Sequence, residues 1–311
     1  MNLNDPHHRS RNSHHEVSSP RTVSLIGANG MLAQMVRREA PAQWDFVLLD
    51  LPDFDLTDRE QVLDTLIELQ PDVIINCAAY TNVDGCESEQ DIAFAVNGAG
   101  PKHLAEAALA CNATLVHIST DYVFSGDKSE PYTEEDAPGP KSVYGRSKLA
   151  GEKAIIESGL DRFFIVRTSW LYGPGGKNFV ETVLRLAAER EELRIVADQT
   201  GSPTMTRDLA RALFNLLATG RYGVYHFSDE GACSWYDFAC AVLDLAKVNG
   251  MPVKAHKIHP IRTEEFPLPA PRPRYSVFSK EKYVTVTRQE IPRWQESLKD
   301  YFLLKRRDGK A

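Results

Sequence analysis

The sequence has few features of a secreted, membrane-bound or nucleic-acid-binding protein. Its 311 residues include only five cysteines, and the absence of a C-x-x-C pair favours reduced thiols over a disulfide framework or a metal site. No apolar run is long enough to cross a membrane, and the N-terminus lacks the apolar stretch of a signal peptide. The net charge of -7 argues against a nucleic-acid-binding face. We therefore expect a cytoplasmic protein that binds neither membranes nor nucleic acid.

Residues 1–20 contain almost nothing apolar that could be buried. This composition predicts a disordered tail. Four histidines lie in it (His7, His8, His14 and His15). We interpret them as solvated side chains rather than a metal site, and no metal is predicted elsewhere.

From Arg21 onward, short apolar strands alternate with helices. We predict strands at 23–26, 46–50, 73–77, 115–119 and 163–167, and helices from Met31 and over 59–69, 101–111 and 147–157. Continuous apolar strands that alternate with helices are typical of a parallel sheet covered on both faces. The fold class is therefore α/β, with a Rossmann-type doubly wound parallel sheet in a dinucleotide-binding domain over residues 21–173, to which parts of the later chain return.

Beyond Gly173 the pattern changes to helices (about 179–190, 207–217 and 235–247), short strands and a proline-rich stretch at 267–273. Open α/β sheets bind ligands at the carboxyl ends of their strands. Residues 174–311 are therefore predicted to form mainly a smaller α/β substrate-binding cap at that edge.

A glycine-containing turn follows the first strand and begins the first helix. It reads G-x-x-G-x-x-A, with Gly27, Gly30 and Ala33 at the fixed positions. Glycines let the backbone approach a pyrophosphate, and the helix N-terminus offers N–H groups to it. The predicted cofactor contacts in this segment are Gly27, Asn29, Gly30, Met31 and Leu32.

Asp50 ends the second strand, where an acidic side chain accepts hydrogen bonds from the adenosine ribose of NADH. A carboxylate there would repel the 2′-phosphate of NADPH. Arg37, Arg38 and Arg59 are near enough in sequence to accommodate that phosphate. The cofactor is therefore NADH or NADPH, with a slight lean to NADH.

Tyr144 and Lys148 form a Y-x-x-x-K pair on one helix face. A phenol can donate a proton to a carbonyl oxygen as hydride arrives, and an adjacent ammonium is expected to lower its pKa. The spacing alone identifies nothing, because Tyr301 and Lys305 share it. Tyr144 lies between the fourth and fifth strands, however, and Thr120 closes the fourth strand. These positions predict a Thr/Tyr/Lys catalytic set.

Together these residues resemble the extended short-chain dehydrogenase/reductase superfamily. Five further segments resemble its dTDP-4-dehydrorhamnose reductase branch: 76–84 (NCAAYTNVD), 119–126 (STDYVFSG), 167–173 (RTSWLYG), 198–204 (DQTGSPT) and 271–276 (PRPRYS). The resemblance runs from about Arg21 to the final helix. It implies reduction of the 4-keto group of dTDP-4-dehydro-L-rhamnose, a nucleotide sugar, to dTDP-L-rhamnose for polysaccharide synthesis.

The resemblance also implies catalytic, cofactor-binding and substrate-binding roles for particular residues. It implies that Thr120, Tyr144 and Lys148 are catalytic and also contact substrate or cofactor. Ala78, Ala79 and Tyr80 would border the cofactor, and Asp55 and Leu56 the adenine. Substrate would be contacted by Asp121, Trp170, Asn178, Arg272 and Arg274. An indole can cover the apolar C–H face of a deoxysugar.

Some relatives in this branch dimerise around Mg²⁺ through glutamates, one of them early in the first helix. Here that helix has no acidic residue before Glu39. We therefore do not predict bound Mg²⁺, and we leave the oligomeric state open between a monomer and a homodimer.

Two other functions fit the same residues. The first is another extended short-chain reductase or epimerase that acts on a different nucleotide sugar. The second is a non-enzymatic regulatory subunit with the same fold, although the complete Thr120/Tyr144/Lys148 set favours an enzyme.

Overall fold

The computed structural model describes residues 21–308, so the predicted tail at residues 1–20 lies outside the described part. In chain order the strands are β1 (Arg21–Ile26), β2 (Trp44–Leu49), β3 (Val73–Asn76), β4 (Thr114–Thr120), β5 (Phe163–Thr168), β6 (Leu171–Tyr172), β7 (Glu192–Val196), β8 (Thr200–Gly201), β9 (Thr204–Met205), β10 (Gly223–His226), β11 (Cys233–Ser234) and β12 (Lys257–Ile261).

The α-helices in the same order are α1 (Met31–Glu39), α2 (Arg59–Leu69), α3 (Gly85–Ser88), α4 (Gln90–Phe94), α5 (Gly100–Cys111), α6 (Val143–Ile156), α7 (Phe179–Glu189), α8 (Thr206–Thr219), α9 (Trp235–Val248), α10 (Glu281–Thr287) and α11 (Trp294–Asp308). A π-helical turn (Ala95–Ala99) joins α4 to α5, and 3-10 turns lie at Asp121–Val123 and Thr263–Glu265.

Six strands form the central sheet in the spatial order β10-β5-β4-β3-β1-β2. Each neighbouring pair is parallel. The chain moves outward from β1 in two directions, to β2 on one side and to β3 on the other. Ligands in doubly wound folds bind at the carboxyl ends of the strands beside such a reversal.

Two apolar cores cover the sheet. Residues of α1, α8 and β10 pack on one face and include Val36, Leu213 and Tyr225. Residues of α2 and α5 pack on the other face and include Leu66 and Leu104. The predicted doubly wound α/β fold is confirmed.

A further apolar cluster lies among α7, α9 and α11, around Val183, Phe238 and Leu298. It belongs to the part of the chain after Gly173. The division of the chain at residue 173 stays a prediction, and β10 places a segment of the later chain in the central sheet. Among residues 21–308, no helix is both long and apolar enough to span a membrane.

The helix that carries Tyr144 begins at Val143, earlier than the predicted residue 147. Its start is set by Ser142, whose side chain accepts a hydrogen bond from the backbone N–H of Gly145 at 3.1 Å. Serine is a preferred N-cap because it satisfies an otherwise free N–H of the first turn. Tyr144 and Lys148 therefore lie on the first two turns of α6, close to the carboxyl edge of the sheet.

Candidate active site

A cavity of about 690 Å³ opens at the carboxyl ends of β1, β3, β4 and β5. It brings together ten of the predicted site residues: Asn29, Gly30, Met31, Leu32, Ala79, Thr120, Asp121, Tyr144, Lys148 and Trp170. Cys77, Ser119, Tyr122 and Lys177 also line it. These residues come from five separate stretches of chain, so the parallel sheet assembles the site.

The turn after β1 has the shape of a phosphate site. Gly27 has a φ of +74°, and a Cβ on it would lie 2.7 Å from the backbone nitrogen of Ala78. Only glycine fits such a close approach without strain. The N-cap of α1, Gly30, makes no side-chain cap, and the first helical turn contains no acidic residue. The N–H groups and positive end of α1 are therefore available to a pyrophosphate.

Asp50 lies beside this turn and not on the cavity. Its carboxylate accepts hydrogen bonds from the backbone N–H groups of Asn29 and Leu51, both at 2.8 Å. Asp55 likewise accepts from the backbone and hydroxyl of Thr57. Leu56 is buried. Asp50 thus supports the turn, whereas Asp55 and Leu56 make their contacts elsewhere. The predicted contacts of all three residues with the adenosine stay predictions.

Thr120, Tyr144 and Lys148 meet at the base of the cavity. Thr120 is the last residue of β4, and its hydroxyl donates to Asp121 at 3.0 Å. Tyr144 shares a side-chain hydrogen bond with Thr120. Lys148 is buried one turn further along α6, and its Nζ donates to the carbonyl oxygen of Ile118 at 2.7 Å.

Burial controls the proton affinity of this group. It raises the pKa of Tyr144 well above its ordinary range, and the hydrogen bond with Thr120 opposes the rise. Burial also lowers the pKa of Lys148 to about 8, against the attraction of Glu152. The expectation that Lys148 lowers the tyrosine pKa is wrong for this arrangement, because desolvation of the phenol dominates and the Lys148 amine is directed to Ile118.

Asp121 adds a second acid to the cavity wall. Burial raises the pKa of this carboxyl to about 6, although side-chain hydrogen bonds from Ser276 and Thr120 oppose the shift. A carboxyl with a pKa in this range changes its charge under mildly acidic conditions.

A buried ion pair connects α6, the helix that carries Tyr144 and Lys148, to the central sheet. Arg167 of β5 donates to both carboxylate oxygens of Glu152 on α6, at 2.9 and 2.7 Å. The hydroxyl of Ser119 donates to the same carboxylate at 2.5 Å. Sequence reasoning missed Glu152, although its position one turn after Lys148 puts it on the same helix face. The pair ties α6 to β4 and β5.

Trp170 forms part of the cavity wall beyond β5. Its backbone has a φ of +48°, and its carbonyl oxygen accepts from the backbone N–H of Thr204 at 3.2 Å. Its indole stacks on Trp235. The predicted position beside a sugar therefore has a rigid aromatic surface.

Several predicted contacts lie outside this cavity. Arg272 donates to both oxygens of Asp84, at 2.5 and 2.7 Å, and the exposed Arg274 donates to Glu264 at 3.1 Å. The side-chain nitrogen of Asn178 donates to the carbonyl oxygens of Gly173 and Gly176. Their contacts with a nucleotide stay predictions.

Two residues predicted to border the cofactor, Tyr80 and Ala78, contact other parts of the protein. Tyr80 donates its hydroxyl hydrogen to Glu89, and its backbone N–H donates to Asn97 at 2.9 Å. Ala78 lies against Gly27, as described above.

The second Y-x-x-x-K pair has a different setting. Tyr301 and Lys305 both donate to the carboxylate of Glu181 on α7. They lie on α11, away from the central sheet. Position relative to the sheet, and not spacing, separates the two pairs.

A doubly wound sheet with a glycine turn after β1 and a Thr/Tyr/Lys set at its carboxyl edge defines a nucleotide-cofactor oxidoreductase of the short-chain dehydrogenase/reductase type. Within that class, the chain belongs to the family described as RmlD substrate binding domain, which matches residues 21–306.

Two similar proteins have names that are consistent with this family. The chain is 41% identical over 280 residues to the spore coat polysaccharide biosynthesis protein SpsK of Bacillus subtilis, covering 90% of this chain and 96% of that one. It is 40% identical over 283 residues to a dTDP-4-dehydrorhamnose reductase of Sinorhizobium fredii, covering 88% and 94%. The resemblance inferred from sequence is confirmed.

A solved structure gives the same result. The dTDP-4-dehydrorhamnose reductase of Bacillus anthracis, in complex with NADP, is 42% identical and superimposes with a TM-score of 0.87, covering 92% of this chain and 99% of that one. The cofactor class predicted from the turn, a nicotinamide dinucleotide, is the class bound in that relative.

Proposed function

We propose that this protein reduces the 4-keto group of dTDP-4-dehydro-L-rhamnose to give dTDP-L-rhamnose, with NADH or NADPH as the reductant. The observation that carries the proposal is the meeting of Thr120, Tyr144 and Lys148 in one cavity beside the phosphate turn. Two of the three relatives named above are dTDP-4-dehydrorhamnose reductases by name.

Tyr144 is the proton donor to the sugar oxygen in this proposal. The phenol is protonated at neutral pH, as a proton donor must be in the reductive direction. Thr120 lies beside it and hydrogen-bonds the same oxygen. A bound reduced nicotinamide supplies the hydride. Lys148 holds the nicotinamide ribose from the floor of the cavity.

The phosphate turn fits the dinucleotide. The N–H groups at the start of α1 and the absence of acidic side chains in its first turn suit two phosphates. Trp170 and Asp121 are the proposed sugar contacts, one for the apolar face and one for a hydroxyl group. Asn178, Arg272 and Arg274 are retained as proposed contacts of the thymidine diphosphate.

We also propose that NADPH is accepted along with NADH. Asp50 is already hydrogen-bonded to two backbone N–H groups, so it is a weak ribose acceptor. A second, open depression beside Asn29 is lined by Arg37 and Arg38. Two guanidinium groups there provide a site for a 2′-phosphate. Replacement of both arginines with alanine should raise the KM for NADPH more than the KM for NADH.

The test is turnover by the purified full-length protein. We expect oxidation of NADH or NADPH only when dTDP-4-dehydro-L-rhamnose is added, with one dTDP-L-rhamnose formed per reduced cofactor consumed. An epimerase would convert a nucleotide sugar with no net consumption of cofactor. A regulatory subunit would give no turnover with either cofactor and would bind a partner protein tightly. Either result would overturn the proposal.

A further inference from the structure

A buried histidine lies against the catalytic lysine. His117 is on β4 and 1% exposed. Its Nε2 is 3.3 Å from Lys148 Nζ, and its Nδ1 is 3.0 Å from Asn76 Nδ2. Asn76, on the neighbouring strand β3, is equally buried. The Thr/Tyr/Lys set does not account for this chain of three side chains.

The neighbouring hydrogen bonds determine which of these three side chains donates and which accepts. The backbone N–H of Ala78 donates to Asn76 Oδ1 at 3.0 Å, which leaves the asparagine NH₂ group facing His117. An amide NH₂ can only donate. His117 Nδ1 must therefore accept, and in a neutral imidazole the hydrogen then lies on Nε2. That hydrogen points at Lys148.

We propose that Asn76 fixes His117 as its Nε2–H tautomer, so that His117 donates to Lys148 and favours the neutral amine of this lysine until cofactor binds. A neutral amine has one lone pair and two N–H groups. It can accept from His117 and donate to Ile118, which are the two contacts observed. An ammonium would face the Nε2 hydrogen with no lone pair to accept it.

The surrounding charges are consistent with this assignment. Burial alone is the larger cause that lowers the pKa of His117 well below its usual value, so the ring is neutral. Burial raises the pKa of Cys77 on β3 to about 12, which keeps it a thiol. The charge of Glu152 is paired with that of Arg167, so its attraction for the ammonium form of Lys148 is smaller than the effect of burial. Tyr144 is protonated.

Cofactor binding then involves a proton. A dinucleotide brings at least two negative charges, and these favour the ammonium form of Lys148. The protein should therefore take up a proton as the cofactor binds at a pH above about 8. His117 is in this view a positioning residue that sets the charge of Lys148. The inference depends on the proposed function only in placing a nicotinamide cofactor beside Lys148.

The tautomer can be observed directly by nitrogen NMR of the protein labelled with ¹⁵N-histidine. The signal of His117 is identified by its loss in His117→Gln. We expect the Nε2–H form from pH 6 to pH 9, with no protonation of the ring. An Nδ1–H form or an imidazolium in this range would overturn the proposal.

The charge of Lys148 is tested by the affinity for NADPH between pH 7.5 and 9.5, where the 2′-phosphate of NADPH is fully ionised. For wild type the Kd should rise above pH 8 by up to about tenfold per pH unit, the slope of one linked proton. His117→Gln should behave the same, because a glutamine amide can accept from Asn76 and donate to Lys148. His117→Leu cannot donate, so its Kd should stay flat to about pH 9.

These outcomes separate the proposal from a structural role and from the substrate assignment. A residue needed only for packing would change affinity equally at every pH. A flat profile for wild type, or parallel profiles for wild type and His117→Leu, would contradict the proposal. No measurement uses the nucleotide sugar, so failure of the rhamnose reductase assignment would leave this result intact.

Discussion

The indole of Trp170 lies flat on the indole of Trp235, with ring centroids 3.5 Å apart and planes 8° apart. Trp235 begins α9 in the later part of the chain, whereas Trp170 follows β5 of the central sheet. The stack thus joins the cavity wall to the segment predicted to form the cap. Closely stacked aromatic pairs contribute about 0.5–1.5 kcal/mol beyond their buried area, which helps to fix the orientation of Trp170.

Gly201 makes this stack possible. A Cβ on Gly201 would lie 2.5 Å from the ring of Trp170, so Gly201→Ala should displace the indole. We expect the KM for the nucleotide sugar to rise by about tenfold or more, since small displacements at a site are costly. The Kd for NADPH should not change. Gly139→Ala is the matched control, because its Cβ would meet only an ordinary contact at 3.6 Å. Equal effects of the two variants would contradict the explanation.

Tyr144→Phe removes the proposed proton donor and little else. We expect kcat to fall by about 10²–10⁴, the usual contribution of a general acid, with the Kd for NADPH nearly unchanged. The chain offers its own control in Tyr301, which has the same spacing to a lysine. Tyr301→Phe removes a hydrogen bond to Glu181 and should lower thermal stability without changing kcat. Steady-state kinetics and fluorescence titration with NADPH measure both quantities.

Asp121 should make stability depend on pH. Its folded-state pKa of about 6 lies above the ordinary value of 3.8, so the folded chain binds a proton more tightly than the unfolded chain. Its ionised form therefore destabilises the fold progressively as pH rises from about 4 to 6, by up to about 3 kcal/mol. Asp121→Asn removes this effect, and its stability relative to wild type should be higher at pH 7.5 than at pH 4.5.

Asp136 provides a control of opposite sign. The hydrogen bond from Lys128 lowers the pKa of this carboxyl below its ordinary value of 3.8, so its contribution to stability is fully present above about pH 4 and is lost only at lower pH. Asp136→Asn should therefore be less stable than wild type by a nearly constant amount from pH 4.5 to pH 7.5. Urea unfolding at pH 4.5, 6 and 7.5 compares the two variants. The same trend in both would mean that their charges do not act as described.

Breaking the buried ion pair between Arg167 and Glu152 of α6 should lower the stability of the fold. Arg167 and Glu152 are 5% and 1% exposed, and Glu152→Gln leaves a buried guanidinium without its counter-charge. We expect a loss of about 3–5 kcal/mol in the free energy of unfolding. The exposed i,i+4 pair of Arg185 and Glu189 is the comparison, and Glu189→Gln should cost about 0.5 kcal/mol or less. Urea denaturation measures both, and equal losses would contradict the role of burial.

The sequence was sufficient for five of the six strands of the central sheet and for the main helices, because these depend on local patterns. The sixth strand, β10, was not predicted. Buried parallel strands read as apolar runs, and α2 begins and ends where its caps and periodicity predict. The start of α6 was missed because the apolar pattern begins later than the Ser142 cap. The short helices α3 and α4 were missed because four or five residues are too few to show a helical period.

The site was predicted less completely, for a physical reason. Thr120, Tyr144 and Lys148 could be found because each follows or begins a recognisable element. His117 and Glu152 could not, because a polar residue within an apolar segment gains its meaning from a partner far along the chain. The raised pKa of Tyr144 likewise depends on the tertiary burial of the phenol. Spacing alone could not supply it.

The hydrogen bond from the Asn29 N–H to Asp50 bears on protein engineering. In dinucleotide enzymes the acidic residue after the second strand contacts the ribose 2′-hydroxyl and so affects the choice between NAD and NADP. Here the same carboxylate accepts a hydrogen bond from the turn at residues 27–30. Its replacement would therefore disturb that turn as well as the ribose site. A redesign of cofactor choice in this scaffold should leave Asp50 in place and vary Arg37 and Arg38 instead.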